Sequence, residues 1–198
     1  VRYLADTLRG CFLEVLDHFR PNLEVEELLA DVSGTTGFSV LDEEEPGLVQ
    51  DEWLSRQRVA IGYLENPSSD FVDVSHTNTL AELNRAPAVQ AAFRDPEVRS
   101  AFGPNVRLDL GTICSGGPAG RKITQAVSET VYLLPTRPKG IAYVTRFDRD
   151  ERCWAIFDDR ANVDFTDPVQ IDPTEVEHVE AIRSVRDAYG LVLPALWG

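Results

Sequence analysis

The stretch Pro138 to Arg160, PKGIAYVTRFDRDERCWAIFDDR, constrains the fold more than any other part of the chain. Ile141, Tyr143, Thr145 and Phe147 alternate with Ala142, Val144 and Arg146, the period of two that gives a strand two different faces. A second run, Cys153 to Phe157, follows the polar tract Asp148-Arg149-Asp150-Glu151-Arg152. Two strand-like runs joined by a short charged loop predict an antiparallel hairpin. Ala142, Val144, Cys153, Ala155 and Phe157 give that hairpin apolar surface to bury inside a sheet. Thr145 and Arg146 set a hydroxyl and a guanidinium in its middle.

A chain of 198 residues is long enough to bury about 70% of its unfolded surface around such a hairpin, and one domain over 1–198 is expected. Hydrophobic residues at 43% and charged residues at 26% match ordinary globular usage and argue against disorder. The net charge of -14 repels phosphate backbones and anionic lipid heads, which disfavours nucleic acid and membrane surfaces as partners while leaving room for a local basic pocket. The three cysteines, Cys11, Cys114 and Cys153, are scattered and lack C-x-x-C spacing, which argues against a disulfide framework or a zinc site and for a reducing cytoplasm. No run approaches the roughly eighteen apolar residues that span a bilayer, and no signal-peptide pattern opens the chain. It begins at Val1 and contains no methionine, so the natural protein is expected to start upstream.

Along the chain, Tyr3-Leu4-Ala5 reads as a strand end, and Asp6 or Thr7 as the cap of a helix to about Phe19 with Leu8, Phe12, Val15, Leu16 and Phe19 as its apolar stripe. Glu14 falls off that stripe, which places it in solvent. A second helix is expected from Asn22 to Leu29, a short strand over Phe38 to Leu41 and an acidic turn over Asp42 to Gly47. Asp51 caps a helical turn carrying Trp53, and Arg58 to Leu64 reads as strand or helix. Phe71 to Val74 is a strand, Thr77–Leu83, Pro87–Phe93 and Asp95–Phe102 are short helices, and Arg107 to Leu110 is a strand. The glycine-rich loop Cys114 to Lys122 precedes a helix from Thr124. Past the hairpin come a brief strand at Pro168 to Ile171, a helix start at Asp172-Pro173-Thr174-Glu175 and a helix end at Gly190, with an edge strand over Leu191 to Leu193. Short strands and helices without a regular β-α-β beat predict an α+β fold.

The residues alone leave the chemistry open. Gly116 to Lys122 suits either a plain loop or an anion site, because glycines let N–H groups approach a phosphate and Arg121 and Lys122 add positive charge. The spacing is too short for a Walker loop, and Ile123 stands where that loop has a metal-binding hydroxyl. No G-x-G-x-x-G supports a Rossmann site. His18, His76 and His178 share no ligand spacing, so no metal is assigned, and Ser115 lacks a nucleophile elbow. No carboxylate pair is singled out for glycosidase chemistry.

Three segments in order, VRYLADTLRGCFLEVL, RKITQAVSETVY and GIAYVTRFDRDERCWAIFDDR, resemble the RES domain family. The resemblance runs from Tyr3 to about Arg160 and implies a fold similar to ADP-ribosyltransferase toxins such as diphtheria toxin, a mixed or antiparallel sheet core with short helices around it. Many members are toxins of bacterial toxin-antitoxin pairs, and characterised ones consume NAD or modify a protein with ADP-ribose. The implied substrate is therefore NAD, with phosphate or water as acceptor, no separate cofactor and an antitoxin protein as partner. Tyr3 matches the tyrosine of the Y-L-A motif, Glu14 the acid of the following helix and Gln125 the glutamine of the T-Q helix start. Thr145 stands where the family has serine, in a Y-x-S-R context that reads Tyr143-Val144-Thr145-Arg146. The family's named arginine lies upstream of Y-L-A and is expected to precede Val1; Arg2 is not its equivalent.

These implied roles agree with elementary chemistry. Breaking the nicotinamide–ribose bond passes through a sugar cation, which a carboxylate such as Glu14 stabilises. Tyr3 packs against a flat ring, and Arg146 and Arg121 hold pyrophosphate by charge-assisted hydrogen bonds, with Gln125 beside them. Threonine for serine keeps the hydroxyl at Thr145 and narrows the pocket by a methyl group. The alternatives at this stage are a transferase that places ADP-ribose on a protein and a non-catalytic module that binds a nucleotide or an antitoxin.

Overall fold

The computed structural model describes residues 2–21, 47–65 and 69–197. The chain divides into two compact units, residues 1–6 with 62–164, and residues 7–61 with 165–198. The expected helix at 22–29, strand at 38–41 and acidic turn over 42–46 lie outside the described residues.

The first unit is built on the hairpin. Strands β5 (Gly140–Val144) and β6 (Arg152–Ile156) pair antiparallel, with Ile141 opposite Ala155 and Tyr143 opposite Cys153. Strand β1 (Arg2–Ala5) adds antiparallel to β6, and β4 (Phe71–Asp73) adds parallel to β5, giving a mixed sheet in the order β1-β6-β5-β4. The two-residue strand β3 (Gly62–Tyr63) opens this unit's long segment, and the first residue of β7 (Asp164–Phe165) closes it. A parallel neighbour requires a crossover. Here it consists of five helices: α3 (Thr77–Leu83), α4 (Pro87–Ala92), α5 (Pro96–Phe102), α6 (Leu110–Ile113) and α7 (Gly117–Tyr132).

The period of two in the hairpin decides which side chain meets which layer. Ile141 and Phe157 join Leu80, Val89, Val98, Ile123, Val127 and Val131 in the core beneath the helices. Ala142, Trp154 and Ile156 turn the other way and join Phe71, with Leu4, Leu64, Ala161 and Val163 packed against them. Full burial of each such aliphatic side chain contributes about 1.5–3 kcal/mol, so the apolar face of α7 is the main hold of that helix on the sheet.

Local chemistry explains where the sequence expectations shift. Arg107 to Leu110 forms no strand, because Asp109 and Thr112 make a reciprocal capping box with N–H···O distances of 2.8 and 2.9 Å and start α6. The Leu108 N–H is satisfied by Asn84 Oδ1 at 3.0 Å rather than by a neighbouring strand. Helix α7 begins at Gly117, not Thr124, so the glycine-rich loop is partly its first turn. A β-carbon on Gly120 would lie 2.1 Å from the Ser115 carbonyl oxygen, closer than any side chain tolerates. Lys122 Nζ binds Asp95 at 2.8 Å and Glu97 at 2.9 Å, tying α7 to the start of α5.

The second unit contains α1 (Leu8–Leu16), a 3-10 turn over Asp17–Phe19, α2 (Asp51–Arg56), the paired strands β2 (Arg58–Val59) and β8 (Val169–Gln170), and α8 (Val176–Tyr189). Thr7 caps α1 by accepting the Gly10 N–H at 2.9 Å. The buried stripe is Phe12, Leu13 and Leu16, and Val15 is exposed instead. Tyr189 Oη donates to the Leu13 carbonyl at 2.9 Å and Arg9 Nε to Ser184 Oγ at 2.8 Å, joining α1 to α8. The start of α8 falls after the expected 172–175 signal, because Asp172 Oδ1 accepts the Thr174 N–H at 2.7 Å and closes a turn there first. Gly190 ends the helix at φ 68° as expected, and the 191–193 edge is reduced to a bridge between Leu48 and Val192. Among the described residues no helix is long and apolar enough to cross a membrane.

Two substitutions test this packing. Gly120→Ala is expected to lower stability by about 1–3 kcal/mol in urea unfolding, because the obstructing atom is backbone. Lys122, first by its hydrogen bond, holds the Asp95 carboxyl below its ordinary value of 3.8. That stabilisation is complete above 3.8 and is lost as pH falls from there through the lowered folded value. Asp95→Asn keeps the cap on α5 but removes the pair, so its stability is expected to fall less than the wild type's on acidification through that window.

Candidate anion-binding site

The site starts from three glycines and a proline. Gly120 admits the Ser115 carbonyl into the first turns of α7, which folds the loop back over the helix start. Ser115 Oγ donates to the Gly111 carbonyl at 2.7 Å and fixes the other end of the loop on α6. Gly117 has φ +76°, a left-handed conformation that glycine adopts without strain, and it turns the chain into α7. Gly116 stands at the N-cap, where no side chain satisfies the first N–H groups, and Pro118 has none to satisfy. A sixteen-residue helix therefore presents polar N–H groups and the positive end of its dipole at this loop.

A guanidinium lies at the same place. Arg146 follows β5, and a β-carbon on Gly116 would sit 2.6 Å from its Nη1, so the missing side chain is what gives the guanidinium room. The same guanidinium rests 4.5 Å from the centroid of the Phe147 ring. Beside the loop is a cleft of about 500 Å³, walled by Glu97, Ser100 and Phe102 and floored by residues 115–119. The Glu97 carboxylate at the cleft wall is paired with Lys122, which offsets its negative charge.

The six residues singled out from the sequence are placed differently from one another. Arg146 meets the glycine-rich loop at Gly116; it is exposed and, like Arg121 and Gln125, is not among the residues that line the cleft. Arg121 and Gln125 are exposed one turn apart on α7, outside the cleft lining. Tyr3 lies on β1 opposite Ala155 and is 70% exposed. Thr145 ends the hairpin's first arm rather than sitting mid-strand, and at 1% exposure its hydroxyl accepts the N–H groups of Phe147 at 3.0 Å and Asp148 at 3.1 Å. Glu14 is exposed on α1, in the second unit.

The sequence left Gly116 to Lys122 open between a plain loop and an anion site; the meeting of Arg146 with Gly116 was not foreseen, nor the helix start at Gly117, for which the proline of Gly116-Gly117-Pro118 carries a signal. Lys122, counted in the sequence only as positive charge on that loop, is engaged by Asp95 first and Glu97 second, which hold its pKa above the ordinary value. A second depression of about 340 Å³ at the far end of α7 is lined by Glu129, Asp158 and Asp159 and is unsuited to an anion. Among the described residues no cluster of His, Cys, Asp and Glu has the makings of a metal site.

Gly116→Ala separates the seat from the fold. The obstructing atom is the far end of a flexible side chain, so stability is expected to change by less than about 0.5 kcal/mol in urea unfolding. Arg146 is displaced, and pyrophosphate binding measured by calorimetry is expected to weaken about tenfold, the value of one charge-assisted hydrogen bond.

What the arrangement can do chemically is hold a phosphate or pyrophosphate against Arg146 and the start of α7. No family model matches this chain, and neither a curated protein nor a solved structure is significantly similar to it.

Proposed function

We propose that the protein degrades NAD by cleaving the nicotinamide N-glycosidic bond and passing ADP-ribose to phosphate or water. The chemistry comes from the RES-domain resemblance. The observation that carries it to this molecule is the Arg146 guanidinium over Gly116 at the uncapped start of α7, a seat suited to the pyrophosphate of a dinucleotide. The ADP-ribosyltransferase-like fold belongs to the same proposal, supported by a mixed sheet with short helices on one face.

The reaction asks little of the protein in acid-base terms. The C1′–N bond breaks with its electron pair going to the pyridinium ring, so nicotinamide departs neutral and no acid is needed. The acceptor oxygen forms the new bond to C1′ and releases its proton to solvent. The protein's task is to hold the pyrophosphate still and to favour the ribosyl cation. Arg146 serves the first purpose. The role of Glu14 in the second rests on the resemblance alone, as does a toxin's place beside an antitoxin partner.

Incubation with NAD in the presence and absence of phosphate, with products identified by mass, tests the reaction. ADP-ribose or its phosphorylated form is expected; a labelled protein points to transfer, and unchanged NAD contradicts the proposal. Glu14→Gln removes one charge and little volume from an exposed helix position. It is expected to lower kcat at least about a hundredfold with an unchanged unfolding midpoint. Near-normal turnover by that variant removes Glu14 from catalysis.

A further inference from the structure

We infer that Thr145 is a positioning residue, whose hydroxyl folds the turn that aims Arg146 at the anion seat and which affects NAD handling only through that arginine. The inference rests on the reading of the Arg146–Gly116 seat given above. Its first support is burial: at 1% exposure the Thr145 side chain offers nothing for a ligand to touch. Its second is occupation of the hydroxyl's acceptor sites. The hydroxyl oxygen has two acceptor sites, and the Phe147 N–H at 3.0 Å and the Asp148 N–H at 3.1 Å occupy both.

These bonds make a hydroxyl-closed turn directly across Arg146. The Thr145 N–H donates to the Glu151 carbonyl at 3.0 Å, the Glu151 N–H to the Asp148 carbonyl at 3.2 Å and the Asp150 N–H to Asp148 Oδ1 at 2.9 Å, so the loop after Arg146 is tied at several points. Inside it, Phe147 supports the guanidinium at 4.5 Å. The path of influence is short: hydroxyl, two backbone amides, the arginine and its ring support, then Gly116. It also accounts for threonine where the resemblance implies serine, because either hydroxyl closes the same turn.

The test compares Thr145→Val, Thr145→Ser, Thr145→Asn, Arg146→Ala and the Thr145→Val/Arg146→Ala double variant. Three readouts are taken for each: kcat and KM for NAD, pyrophosphate binding by calorimetry and thermal unfolding. Thr145→Val is expected to raise KM and the pyrophosphate Kd about tenfold while kcat stays within about twofold. Thr145→Ser is expected to match the wild type. In the Arg146→Ala background the valine substitution is expected to add nothing, since two residues acting through one contact are not additive. If Thr145→Val does not fold, Thr145→Asn carries the test, because its side-chain carbonyl closes an equivalent turn without a hydroxyl; a wild-type KM and kcat there support the inference. A lower kcat at unchanged KM in the valine or asparagine variant overturns it, as does an equal effect of Thr145→Val with and without Arg146, or the absence of any effect of Thr145→Val. Loss of binding in Arg146→Ala with normal behaviour of Thr145→Val sinks this inference alone. Normal pyrophosphate binding by Arg146→Ala sinks the seat, and the inference with it.

Discussion

The close approach of Gly120 to the Ser115 carbonyl is the contact on which the organisation of the candidate site depends. A hydrogen occupies the place where a β-carbon would meet that oxygen at 2.1 Å. The contact does not hold α7 on the sheet; Ile123, Val127 and Val131 do that by burial, each with about 1.5–3 kcal/mol. It sets the path of residues 115–117 over the helix start, and that path brings Gly116 beneath Arg146. One helix thus has two separately determined ends: an aliphatic face fixed by the hydrophobic effect and an amino end fixed by steric allowance.

Electrostatics at the site runs against the charge of the whole molecule. With a net charge of -14 the protein repels an approaching dinucleotide. At physiological ionic strength that repulsion is screened over about 8 Å, so the groups in contact with the ligand decide the outcome. Those groups are arranged to favour an anion. Lys122 pairs with Asp95 and Glu97 and so offsets those two carboxylates, while Arg146 rests on Phe147 and lies against an N-cap without a side chain. Glu129, Asp158 and Asp159 line the depression at the opposite end of α7, beside Tyr132.

Much of the architecture is legible in the sequence because it is periodic. The alternation in 141–147 sends Ile141 and Ala142 to opposite layers, and the helix over Thr77–Leu83 is found at its observed bounds. What escapes is local competition between hydrogen-bonding options. Asp109 and Thr112 turn an expected strand into a helix start, and Asp172 closes a turn before α8. Gly116-Gly117-Pro118 reads as loop because glycine and proline usually interrupt helices, yet here they begin one. Of the site, Arg146 is legible only through resemblance, and the exposure of Glu14 follows from its place off the apolar stripe. The use of Lys122 as a tie rather than a ligand group has no pattern in the sequence, because its partners Asp95 and Glu97 lie more than twenty residues away.

A crystal structure of the protein with bound ADP-ribose locates the pyrophosphate without recourse to kinetics. Density for the two phosphates is expected between the Arg146 guanidinium and the backbone of residues 116–119, with the turn at Thr145 intact. Phosphates bound elsewhere on the molecule, with Arg146 turned away from Gly116, would contradict it.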